Sequence, residues 1–173
     1  MRTIIILCFA LALFAAPIDS FAQQEVKTVE SPAHYYRLIY SVQEVGETGK
    51  VTNSRTYATS IATGNGTTSQ IRTGDKVPLV TEREKGEVQY IDVGVSIDSV
   101  HAQEVDNKLA LQVTTDISSA TKATEPTALP VIRDNKWSAS VVVPITKPTI
   151  IFSSDNFQDK GRVQVELTAT RID

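Results

Sequence analysis

Apolar and polar residues alternate with a period of two in five separate stretches of this 173-residue chain, and that pattern calls for strands. Tyr36, Leu38, Tyr40 and Val42 are interleaved with Arg37, Ser41 and Gln43. Ile91, Val93, Val95 and Ile97 alternate with Asp92, Gly94, Ser96 and Asp98. The same spacing returns at Leu109, Leu111, Val113 and Ile117, at Trp137, Ala139, Val141, Val143 and Ile145, and at Val163, Val165, Leu167 and Ala169. Successive side chains of a strand point to opposite faces, so each apolar set is expected to bury against a second layer while its alternates meet water. Thr, Val, Ile and Ser are dense throughout these stretches and suit a pleated surface.

Turn residues separate the runs. Asn65-Gly66, between 57–63 and 67–71, reads as a hairpin turn. Residues 46–49, Gly74-Asp75, Asp106-Asn107 and Lys160-Gly161 read as further breaks. The expected fold is all-β, a single mainly antiparallel sheet or sandwich domain of about eight or nine strands with no helix. Two segments fall outside that pattern. Residues 23–34 form a polar leader, which leaves 35–173 as the β-domain. Residues 118–130 are poor in bulky apolar side chains and read as a mobile loop joining strands 109–117 and 136–145.

The first 22 residues set the compartment. Arg2 precedes an apolar run from Thr3 to Ala16, Pro17 breaks it, and Ser20-Phe21-Ala22 places small residues two apart. That is the layout of a cleaved signal peptide ending at Ala22, with an uncleaved anchor as the lesser alternative. The apolar run is too short for a stable membrane span, which needs about 20 residues. Cys8 and Met1, the chain's one cysteine and one methionine, both lie in this segment. The mature protein would therefore hold no disulfide, no thiol nucleophile and no cysteine metal site. A net charge of −3 with interspersed signs argues against nucleic acid as a partner.

Candidate chemistry is sparse. His34 and His101 show no metal-ligand spacing, and His101 is expected just after a strand ending near Val100. Asp92 and Asp98 share a strand face but sit six residues apart, near 20 Å at about 3.3 Å per residue, too far for a catalytic pair. Residues 155–161 lack the ligand pattern of a calcium loop, and 64–68 lack the helix and lysine of a phosphate loop. Tyr35, Tyr36, Tyr40, Tyr57 and Tyr90 suit core edges better than a glycan platform. No catalytic, cofactor-binding or metal residue is assigned, and no cofactor is expected.

One resemblance runs through residues 55–154. The segment 61–78 (IATGNGTTSQIRTGDKVP) resembles the opening step of the secretin domain, the β-module of type II and type III secretion and type IV pilus outer-membrane channels. Residues 88–97 (VQYIDVGVSI) resemble its Y-x-D-V-G-V-x-L strand, and 109–113 followed by Ile117-Ser118-Ser119 resemble the next one. Pro130-Val131-Ile132-Arg133 with 138–143 resembles a later P-x-I-x-x-R step and its strand. The chain departs from that pattern at Thr146-Lys147-Pro148 and Ser153-Ser154, where secretins carry glycines, and the closing segment of the family is missing. The resemblance implies a non-enzymatic cell-envelope protein with a binding or scaffolding role near a secretion or pilus system. It further implies protein partners, self-assembly by strand-edge pairing, and membrane association only as an assembly. The location would be the periplasm or outer-membrane periphery of a Gram-negative bacterium. The alternative is a secreted carbohydrate- or surface-binding β-sandwich.

Overall fold

The alternating runs become strands that divide between two sheets. The computed structural model describes residues 33–82, 87–120, 130–155 and 160–172. Among these are eight strands: β1 Tyr35–Val45, β2 Val51–Ala62, β3 Thr68–Glu82, β4 Glu87–Val105, β5 Lys108–Ala120, β6 Ile132–Pro144, β7 Thr149–Asp155 and β8 Arg162–Arg171. One sheet has the order β2-β1-β8-β7 and the other β3-β4-β5-β6. Every strand pair within them is antiparallel. The all-β, two-layer architecture is the one the periodicity called for. The signal peptide and most of the leader lie outside the described residues.

The core forms where the two inner faces meet. Tyr36, Leu38 and Tyr40 of β1 are fully buried, as are Val165, Leu167 and Ala169 of β8. Facing them are Val95 and Ile97 of β4 and Leu109, Leu111 and Val113 of β5. Polar bridges tie the layers together. The Tyr40 and Ser99 hydroxyls share a buried hydrogen bond of 2.7 Å, and those of Thr59 and Ser69 another of 2.7 Å. Tyr36 donates to Glu104 Oε2 at 2.5 Å, and Arg171 pairs with the same carboxylate oxygen at 3.6 Å. Each bridge satisfies a polar group that the core would otherwise strand without a partner.

Four sequence expectations need correction. Asn65-Gly66 does not join paired strands, because β2 belongs to one sheet and β3 to the other. Gly64 (φ 126°) and Gly66 (φ 77°) turn the chain across the gap, and the Gly64 N–H donates to the Ala102 carbonyl at 3.0 Å. The glycines serve a corner here. The actual two-residue hairpin turn is Asp106-Asn107 (φ 50° and 57°), closing β4 onto β5 with Val105 opposite Lys108.

Gly74-Asp75 is no turn, since both residues lie within β3. Nor does β4 end near Val100. It continues to Val105 through a bulge at His101 (φ 56°), where two β4 residues, His101 and Ala102, stand opposite one of β5, Leu111. The extra residue turns the His101 side chain out to solvent and returns Ala102 to the core. Finally, Ser118 to Ala120 belong to β5, so the strand outlasts the run of bulky apolar residues that marked it. The remainder of the expected loop, 121–129, lies outside the described residues.

Candidate functional site

Sheet β3-β4-β5-β6 is whole at one end and forked at the other. The β4–β5 ladder begins at Val95 opposite Ile117. Beyond that pair β4 continues toward Glu87 attached only to β3, and β5 continues to Ala120 attached only to β6. Gly94 and Ser118 would make the next rung. Instead the Gly94 N–H donates to the Ser118 side-chain oxygen at 3.0 Å. A hydroxyl stands where a carbonyl would continue the sheet, and the two hairpins part.

Glycines make the branch point. Gly74 and Gly94 are direct partners across β3 and β4. A Cβ on Gly94 would sit 2.1 Å from the Thr73 carbonyl oxygen and 2.4 Å from the Gly74 Cα. A Cβ on Gly74 would sit 2.5 Å from the Val93 carbonyl oxygen. Only a chain without side chains at both positions can bring the strands this close. An isolated glycine inside an alternating run was the available sequence signal. Gly94 carried it plainly, whereas Gly74 beside Asp75 looked like a turn.

Cavities open on both sides of the branch. The one between the sheets, about 260 Å³, is bounded by Arg55 and Tyr57 of β2 with Asp75 and Val77 of β3. The one on the outer face, about 510 Å³, is bounded by Arg72, Asp92, Ser96 and Asp116. Both are lined by Thr73, Gly74, Val93, Gly94, Val95 and Ser118, so the two cavities lie back to back at the branch. Val93 and Ile91, expected to be buried like Val95 and Ile97, are only half-buried because their arm has left the β5 ladder.

The cleft offers main-chain chemistry. Gly94 directs its N–H toward β5, so by the two-residue period Tyr90 and Asp92 direct theirs into the fork, where among the described residues no β5 rung meets them. A strand edge of this kind recognises another extended chain. Its surroundings are polar. Lys76 bonds Asp92 at 2.7 Å, Arg72 makes a two-pronged contact with Asp98 at 2.7 and 2.8 Å, and Lys136 bridges Asp116 and Asp134. Those two carboxylates, Asp116 foremost, hold the Lys136 ammonium above its usual pKa.

The residues weighed from the sequence do not gather here. His34 accepts from Arg171 through a ring nitrogen at 2.5 Å, and His101 lies on the β4 bulge. Asp92 and Asp98 each take a different cation, as separate surface carboxylates would. Among the described residues no three His, Cys, Asp or Glu side chains group closely enough to hold a metal ion. Residues 156–159 of the calcium candidate lie outside them. Tyr36 and Tyr40 are core, but Tyr35 (53 % exposed) and Tyr90 (62 % exposed) are not the core edges expected of them.

No protein-family model and no curated protein sequence matches the chain. Solved structures do. The secretin-domain β-barrel of InvG from the Salmonella SPI-1 injectisome aligns at TM-score 0.53 and 10% identity, over 85% of this chain and 65% of that one. The fold is secretin-like. A second InvG structure aligns at TM-score 0.50 and 9% identity over 85% of this chain and 67% of that one. InvG in the Salmonella basal body with PrgH and PrgK aligns at TM-score 0.50 and 9% identity, where this chain spans 48% of the secretin. The secretin likeness thus takes in most of the present chain and about half to two-thirds of each secretin.

Proposed function

We propose that this protein is a non-enzymatic component of the cell envelope, a free-standing secretin-like β-domain that binds or scaffolds beside a secretion or pilus apparatus. Its place is the periplasm or the periphery of the outer membrane, reached through the signal peptide of residues 1–22. The observation that carries the binding role is the interrupted β4–β5 ladder, which leaves strand edge open beside a cleft lined by two facing glycines. The secretin-like fold supplies the setting, and the InvG structure with PrgH and PrgK is an example of such a module among protein partners.

The outer face of the forked sheet meets water in this reading, because its ion pairs at Lys76, Arg72 and Lys136 would be costly in lipid. Glycan binding has less support. The exposed tyrosines Tyr35 and Tyr90 stand on different sheets, β1 and β4, whereas a sugar platform needs aromatics on one face.

Site-specific photo-crosslinking in the native envelope tests the role. A photoreactive side chain at Ser119, in the cleft, is expected to capture components of a secretion or pilus machine, and one at exposed Lys50 to capture far less. Equal adducts at the two positions, or none from such a machine, would contradict it.

A further inference from the structure

We propose that Asn65 is a site of spontaneous modification, at which the Gly66 backbone nitrogen displaces the side-chain amide and the corner between β2 and β3 converts to an isoaspartyl linkage in the folded protein. This goes beyond the envelope role and does not rest on it.

Five asparagines are present in the chain, at positions 53, 65, 107, 135 and 156, and Asn65 alone is followed by glycine. The displacement asks two things of the residue that follows. Its backbone nitrogen must be unshielded by a side chain and free of a hydrogen bond. Gly66 meets both. A Cβ built on it would find nothing within 4 Å, so the nitrogen is approached through open space. Among the described residues its N–H meets no acceptor. Asn65 itself is exposed.

The base of the turn is tied down on both sides. The Thr63 N–H donates to the His34 carbonyl at 2.8 Å, and the Gly64 N–H to the Ala102 carbonyl at 3.0 Å. The Thr67 hydroxyl donates to the Gly64 carbonyl at 3.2 Å. Asn65 and Gly66 are the apex these bonds leave free. The other described asparagines are placed differently. Asn53 lies within β2 opposite Glu44, and Asn135 lies within β6 opposite Ile117. Asn107 sits in a turn, but like Asn135 it precedes a lysine, whose Cβ crowds the nitrogen.

The reaction needs water alone. The Gly66 nitrogen gives up its proton and bonds to Asn65 Cγ, the Cγ–Nδ2 bond breaks, and the amide nitrogen leaves as ammonia with that proton. The resulting succinimide ring takes up one water. Opening at Cγ gives aspartate. Opening at the backbone carbonyl carbon routes the main chain through Cβ and Cγ, which is isoaspartate. Either product adds a carboxylate to a chain whose net charge is already −3. The extra methylene falls between the anchors, and loop-closure entropy varies slowly with length, so the two sheets stay joined.

The test holds the folded mature protein in mildly alkaline heavy-oxygen water, quenches it in acid, and digests it with trypsin in ordinary water. Conversion during the incubation then carries one heavy oxygen, and conversion during handling carries none. The peptide 56–72 is expected to yield two acidic forms of equal mass, the larger accepting methyl groups from an isoaspartyl methyltransferase. Peptides carrying Asn53, Asn107 and Asn135 should stay unchanged over the same period, and the aged protein should melt with the fresh one. Gly66→Asp keeps a residue type that tolerates the left-handed conformation (φ 77°) yet shields the nitrogen, and should slow the conversion on the order of tenfold. Four results would overturn the proposal. They are an Asn65 that stays intact in the folded protein, aspartate formed without isoaspartate, equal conversion at Asn53 and Asn107, and an unchanged rate in folded Gly66→Asp.

Discussion

Gly94→Ala is expected to destabilise the domain by about 3 kcal/mol, lowering its melting temperature by roughly 10 °C. The new Cβ would lie 2.1 Å from the Thr73 carbonyl oxygen and 2.4 Å from the Gly74 Cα, well inside van der Waals contact. Both obstacles are backbone. Neither can rotate away, so β3 must shift against β4 along a register that runs from Thr68 to Glu82. The ladder loses rungs or the strands separate at the branch, and the Gly94–Ser118 hydrogen bond goes with them. Gly46→Ala is the control. Its Cβ would meet the tip of the Thr52 side chain at 3.3 Å and the Lys50 carbonyl oxygen at an ordinary 3.7 Å, and the change should stay within about 0.5 kcal/mol. Thermal melts of the two variants check this, and equal shifts would show that the close approach of β3 and β4 does not exist.

The second large effect is a loss of stability in alkali that passes through Tyr40. Burial pushes its hydroxyl up to about 12, opposed in part by the hydrogen bond with Ser99. In the unfolded chain the group titrates near 10. The folded state therefore holds the proton more tightly. The resulting stability is complete below pH 10 and is lost as pH rises toward 12, in all on the order of 2–3 kcal/mol. Tyr40→Phe should be less stable at neutral pH, because the buried Ser99 hydroxyl loses its partner, yet show a shallower decline above pH 10. Urea midpoints across that range measure both. Parallel curves for the two proteins would contradict the burial of this hydroxyl between the sheets.

Much of the fold was legible because burial here follows the simplest rule of a two-layer sandwich. Tyr36 to Val42 and Val163 to Ala169 alternate in sequence and face the core in space, and the same holds from Leu109 to Val113. What escaped the pattern was pairing. Asn-Gly at 65–66 has the local chemistry of a hairpin, and nothing local states that β2 pairs with β1 instead of β3. That choice is made by long-range packing, with the Gly64 N–H anchored on Ala102 from another part of the chain. The bulge at His101 was hidden for a related reason. One extra residue flips the inward face from Ser99 to Ala102 without any turn residue to announce it.

The candidate site was less legible than the fold, since its elements are defined by what neighbouring strands fail to do. Ser118 is an ordinary strand residue until Gly94 bonds its side chain instead of its carbonyl. Thr146 adds a departure of its own. Its φ of 69° puts a β-branched residue in the left-handed region, held by its N–H on the Ala169 carbonyl at 2.7 Å. A glycine would take that conformation freely, so the turn is closed by a residue that strains to adopt it.

The central claim is the fork, and amide hydrogen exchange read residue by residue tests it most directly. Ser96 and Asp98 lie within the β4–β5 ladder, and Ile91 and Val93 face β3, so all four amides should exchange slowly. Tyr90 and Asp92 point into the open cleft and should exchange orders of magnitude faster while their immediate neighbours stay protected. Alternation of fast and slow amides from Tyr90 to Val93, ending at Gly94, is the predicted result. Uniform protection along β4 from Tyr90 to Asp98 would mean that the sheet is unbroken, and the binding cleft would not exist.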